Sequence, residues 1–99
     1  MAIRVGLVVR LVAKQGREEE VAGFLEDALP LAQAETFTPA WFAVRAEGSV
    51  FYIVDFFPDA AGRDKHLGGP IAAALMAKAP ELLAEAPQIE RVDVLGAKV

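Results

Sequence analysis

At 99 residues the chain holds one domain's worth of core, which sets aside two-domain cofactor enzymes. The 10 Lys and Arg against 14 Asp and Glu give a formal net charge of −4 with no basic cluster, so charge-driven binding to nucleic acid or to an anionic membrane is not expected. With no cysteine and a single histidine, disulfides, thiolate metal sites, iron–sulfur clusters, cysteine nucleophiles and multi-histidine zinc sites are excluded.

Ile3 to Val12 is nearly continuous apolar sequence rich in β-branched residues, which predicts a central strand ending at Lys14-Gln15-Gly16. The opening Met-Ala-Ile-Arg lacks the basic and apolar regions of a secretory leader. Glu18, Glu19 and Glu20 then place acid where a helix N terminus favours it, and Val21, Phe24, Leu25, Ala28 and Leu31 or Ala32 recur at helical spacing. Pro30 has no N–H for the carbonyl four residues back and is expected to end this helix or to begin a further turn.

Pro39 to Ala46 and Val50 to Phe57 are aromatic and β-branched runs around Glu47-Gly48-Ser49, a hairpin signal. A two-residue turn would put Phe42, Val44, Phe51, Ile53, Asp55 and Phe57 on one face, and Trp41, Ala43, Arg45, Tyr52, Val54 and Phe56 on the other. Both faces are apolar, so both are expected to be covered. Asp59 is placed to cap a helix from Ala60 to Leu67 that Gly68-Gly69 stops. Pro70 opens another helix with Ile71, Leu75, Met76, Leu82 and Leu83 as its stripe and Pro80 as a candidate kink. Gln88 to Val99 alternates in part and reads as a last strand.

This order, βαββαβ with the second helix split, predicts an α+β, ferredoxin-like fold: a four-stranded antiparallel sheet with helices on one face, one domain over residues 1–99. The apolar second face, and a 55% hydrophobic composition rich for so small a chain, predict a homodimer closing as a dimeric α/β barrel. The longest uncharged apolar stretch, Gly68 to Ala77, is about half of a membrane span, so a cytoplasmic protein without a membrane partner is expected.

Asp55 draws the chemical argument because a carboxylate in an apolar strand needs a partner or a raised pKa. His66 and Arg63 on the next helix are the candidates. As a catalytic pair, Asp55 and His66 would take a phenolic proton and leave an anion able to give an electron to O2; as a structural pair, they would tie helix to strand. His66 is the only side chain in the chain that ordinarily titrates near neutrality, although its place beside Gly68-Gly69 also suits contact with helix-end carbonyls. Trp41 and Tyr52, with Arg45 near Tyr52, form either a slot for a planar aromatic ligand or packing between protomers. Arg10 reads as an ion-pair partner of Asp93 or Glu90. Gly68-Gly69-Pro70 lacks the spacing of a phosphate loop, the Glu18 to Glu20 run reads as a charged helix start, and no metal or cofactor is expected.

The stretches VVRLVAKQGREEEVAGFL, AWFAVRAEGSVFYIVDFFPDAAGRDKHL, ALMAKAPELL and VDVLGAKV together resemble the antibiotic biosynthesis monooxygenase family of dimeric α+β barrels over nearly the whole chain. The resemblance implies that fold, and it implies cofactor-independent oxidation of a quinol, anthrone or other phenolic compound or, equally, a non-catalytic dimeric protein that binds a small molecule or partner. Its anthrone-oxidising branch places Asn, Trp and Tyr where this chain has Ile53, Phe57 and Arg63, and its haem-degrading branch places Asn and His where it has Val9 and Met76. FFPDAAGRDKHL matches, with His66 before Leu67. Read from the residues, the candidate site is His66 and Asp55 as the proton-handling pair, with Phe42, Phe51, Ile53, Phe57, Arg63, Trp41 and Tyr52 lining the pocket.

Overall fold

The computed structural model describes residues 3–99, so Met1 and Ala2 of the leader reading lie outside the described residues. The elements are β1 (Val5–Val12), α1 (Glu18–Ala34), β2 (Ala40–Arg45), β3 (Val50–Phe57), α2 (Ala60–Leu67), α3 (Pro70–Leu82) and β4 (Gln88–Asp93). They form the expected α+β, ferredoxin-like architecture, with an antiparallel sheet in the order β2-β3-β1-β4. Odd-numbered positions of the central strands, Leu7, Val9, Leu11, Phe51, Ile53 and Phe57, meet Val21, Leu25, Leu75 and Leu82 of α1 and α3 in one core. Each such side chain, fully buried, contributes about 1.5–3 kcal/mol. Among the described residues no helix is long and apolar enough to cross a membrane.

The hairpin differs from expectation by one residue. Ala46 N–H bonds the Val50 carbonyl at 2.9 Å, and Gly48 takes φ 72°, so the loop has three residues rather than two. The extra residue flips β2 relative to β3. Trp41 pairs with Asp55, Ala43 with Ile53 and Arg45 with Phe51, all on the helix-covered face, while Phe42 and Val44 move to the opposite face beside Val54 and Tyr52. Among the described residues no helix covers that opposite face; Val8, Tyr52, Val54 and Phe56 are half-buried there, and Phe42 and Val44 are 55% and 49% exposed.

Three other boundaries also differ. α1 runs through Pro30 to Ala34, because Ala28 and Ala32 pack with Ile71 and Trp41 and tertiary burial carries the helix past the missing N–H. The α3 stripe is Ile71, Leu75, Ala79 and Leu82, which leaves Met76 exposed and seats buried Leu83 just past the helix, bridged to Ala13. Strand β4 stops at Asp93, opposite Val5, where β1 begins; one bond from Val94 N–H to the Arg4 carbonyl follows, and Leu95 and Val99 are exposed.

Two glycines permit close approach. A Cβ on Gly6 would lie 2.6 Å from the Asp55 carbonyl oxygen and 2.8 Å from the Phe56 ring, so Phe56 lies directly over β1. A Cβ on Gly62 would lie 3.2 Å from the Phe37 carbonyl, so this glycine lets α2 settle against the segment after α1.

Candidate functional site

Asp59 caps α2 as expected, accepting the Gly62 N–H at 2.9 Å. One turn beyond Gly62, on the same buried face, stands His66, 5% exposed. Its imidazole contacts carboxylates on both sides rather than helix-end carbonyls. Nδ1 is 2.7 Å from Glu35 Oε1, and Nε2 is 2.9 Å from Asp55 Oδ2. The second contact has ion-pair distance but lies off the line of a good hydrogen bond, and Asp55 Oδ1 has no partner among the described residues. The Phe57 ring lies 5.3 Å from the imidazole, centre to centre, closing the apolar side.

Glu35 is the member that sequence reasoning missed. It sits just past α1 with extended backbone, its N–H on the Ala32 carbonyl. A signal was present: Val21, Leu25, Ala28 and Ala32 define the buried stripe, and the next position at helical spacing is Glu35. Thr38, 8% exposed, donates its hydroxyl to the same Glu35 Oε1 at 2.7 Å. The other oxygen, Oε2, is buried without a partner among the described residues and lies 3.2 Å from where a Cβ on Gly69 would stand, at the N-terminal end of α3. Four groups from three parts of the chain therefore form a line, Asp55, His66, Glu35, Thr38.

The electrostatics follow from burial. Asp55 is 0% exposed, and desolvation pushes its carboxyl above its ordinary value of 3.8 despite the opposing pull of His66. For His66 burial works towards a lower pKa, but the hydrogen bonds and charges of Asp55 and Glu35 outweigh it and raise the imidazole above 6.5. Asp55 and His66 thus each hold a proton more firmly than the same groups in water.

The remaining predicted site residues disperse. Arg63 does not reach Asp55; its guanidinium makes long, 3.4 Å bonds to the carbonyls of Gly6 and Val92, at the other end of α2 from His66. Phe51, Ile53 and Phe57 are packed in the core. Arg45, expected near Tyr52, pairs with Glu19 at 2.9 Å and covers the Phe51 ring at 5.1 Å, because the flipped β2 turns it to the helix face. Tyr52 stays on the uncovered face. Arg10 pairs with Glu85 at 3.0 Å instead of Asp93 or Glu90. Glu18 accepts from Gly16 N–H and Ser49, which holds the start of α1 to the hairpin.

A cleft of 740 Å³ opens between α1 and β2, lined by Leu25, Leu29, Trp41, Phe42 and Val44 with Glu19 and Arg45 at one end. A second, of 330 Å³, is lined by Leu29, Ala32, Gln33, Thr38, Pro39 and Trp41. The first does not touch the acid–base line, and the second meets it only at Thr38. Trp41 borders both clefts and pairs across the strands with Asp55, and its buried Nε1–H has no partner among the described residues. Among those residues no group of three or more His, Asp or Glu side chains is arranged to hold a metal ion.

No protein-family model matches the chain, and no curated protein matches it. Among solved structures, it is similar to a protein of unknown function from Nitrosomonas europaea, at 52% identity and TM-score 0.96, covering 99% of this chain and 95% of that one. It is similar in fold to a protein from Mycobacterium tuberculosis, at 15% identity and TM-score 0.85, covering 97% and 99%. It shares its fold with a Caulobacter crescentus protein named "putative antibiotic biosynthesis monooxygenase", at 19% identity and TM-score 0.80, covering 96% and 92%.

Proposed function

We propose that the chain, which belongs to the same family as the Nitrosomonas europaea protein of unknown function, is a cofactor-independent monooxygenase oxidising a small quinol, anthrone or other phenolic compound with O2. The observation that carries this reading is the buried line of Asp55, His66 and Glu35, with Trp41 the cross-strand neighbour of Asp55. An acid–base group with a raised pKa in a water-poor setting suits removal of a phenolic proton. The phenolate left behind is electron-rich enough to pass an electron to O2, and the apolar cleft beside Trp41 suits a flat aromatic ring. The names of several solved structures of this fold, which speak of monooxygenase or oxidoreductase, support the reaction class.

The reading includes a homodimer. Phe42, Val44, Tyr52, Val54 and Phe56 form a contiguous apolar surface with no helix over it among the described residues, and a second copy set sheet to sheet would cover it.

A second reading is favoured by one observation: Asp55 and His66 are nearly closed to solvent, so a ligand held in the α1/β2 cleft would stay outside Trp41 and never meet them. The protein would then be a non-catalytic binder of a small aromatic molecule, with the cluster as a structural tie. Oxygen uptake by the purified, metal-free protein against reduced quinols and anthrones separates the two. Saturable uptake above autoxidation, lost in a folded His66→Ala variant, is the expected result; no uptake with any compound would overturn the oxygenase reading.

A further inference from the structure

We propose that Glu35 and Thr38 form a proton relay joining buried His66 to the open cleft bounded by Leu29, Gln33, Pro39 and Trp41; the proposal rests on the reading of His66 as a proton handler. A buried acid–base group turns over only if its proton can be exchanged with solvent. His66 has two ring nitrogens and therefore two routes. Nε2 leads to Asp55, which is fully buried and offers no way out. Nδ1 leads at 2.7 Å to Glu35 Oε1, and the same oxygen accepts the Thr38 hydroxyl at 2.7 Å. Of the four groups in the line, Thr38 is the one that borders an open cleft.

Both links have the length of strong, charge-assisted hydrogen bonds, along which a proton can move without large displacement of heavy atoms. Inward transfer balances at each step. A hydronium ion in the cleft gives a proton to Thr38 Oγ1 and becomes water, as the Thr38 O–H bond breaks and a new O–H bond forms on Glu35 Oε1. The Oε1–H bond then breaks as Nδ1–H forms, and rotation of the hydroxyl resets Thr38. The outward direction reverses these steps, and apart from the transferred proton no charge remains behind.

The alternative is a tether, in which the Thr38 to Glu35 bond merely fastens the turn after α1. The two differ in the sign of one observable. In protein labelled with 15N-histidine, exchange of the His66 ring N–H with water is compared with exchange of core amides such as Leu11 and Phe51 in the same sample. For a relay, Thr38→Val slows ring exchange by about tenfold or more relative to those amides, the factor expected of one broken hydrogen-bonded link. Thr38→Ser restores it, and Glu35→Gln, which keeps an acceptor but cannot pass on a proton, slows it as Thr38→Val does. Ring exchange in Thr38→Val that is unchanged, or faster in step with the amides, would overturn the relay and leave a tether. Slowed exchange in a protein without oxygen uptake supports the relay while the oxygenase reading fails; uptake with unchanged exchange overturns the relay alone.

Discussion

Replacing His66 by Leu keeps an apolar volume of similar size but removes the cation between Asp55 and Glu35. In the wild type the imidazolium lies between two carboxylates and offsets part of the desolvation that raises Asp55 above 3.8. Without it Asp55 loses the pull that lowers its pKa, so the folded variant holds the Asp55 proton to higher pH than the folded wild type does, while the unfolded carboxyl releases it near 3.8 in both. Folding of the variant therefore takes up more protons above that pH, and its deficit grows with pH. Removing one partner of a buried ion pair costs roughly 3–5 kcal/mol, which sets the scale of the deficit near neutral pH. Above pH 6.5 the wild type also loses stability, because its folded imidazole retains a proton that the unfolded chain has shed, which works against further growth of the deficit. Urea denaturation of both proteins from about pH 4 to about pH 8 reads the deficit directly. A deficit equal at both ends of that range would show that His66 acts by packing alone and would refute the electrostatic reasoning.

Gly6→Ala should cost about 1–3 kcal/mol in urea denaturation, since the added methyl meets the Asp55 carbonyl at 2.6 Å and the Phe56 ring at 2.8 Å; a loss under about 0.5 kcal/mol would mean that the ring swings away freely. Light scattering should give the mass of two chains for the wild type and of one for a folded Phe42→Glu variant; a monomeric wild type would overturn the dimer.

Much of the fold was legible because hydrophobic period and punctuation agree in this chain. Asp59 and Gly68-Gly69 bracket α2 as expected, and Pro70 opens α3. Periodicity cannot count turn residues, however, and the hairpin carries one more than the shortest turn requires. Nor can it weigh tertiary burial against a local breaker, which is why α1 outlasts Pro30. At the site, Asp55 stood out as a charge in an apolar run and His66 as the only imidazole. Glu35 did not, because a glutamate after a helix normally faces water, and only its spacing from Ala32 marks it as inward.

The single-residue shift in the hairpin matters more for the site than for the fold. With a two-residue turn, Trp41 would face away from Asp55 and the clefts at the α1/β2 edge would have no relation to the acid–base line. With three residues, Trp41 becomes the cross-strand neighbour of Asp55, a border of both clefts, and the holder of a buried N–H that nothing among the described residues accepts. A buried donor left unpaired is costly, on the order of 1–3 kcal/mol, and is retained where something else provides the acceptor. The oxygen of a phenolic ligand is such an acceptor. The same indole that pairs across the strands with Asp55 is thus the group through which a ligand in the cleft would first meet the site, and Thr38, at the edge of the neighbouring cleft, leaves protons a route that does not cross the ligand's own.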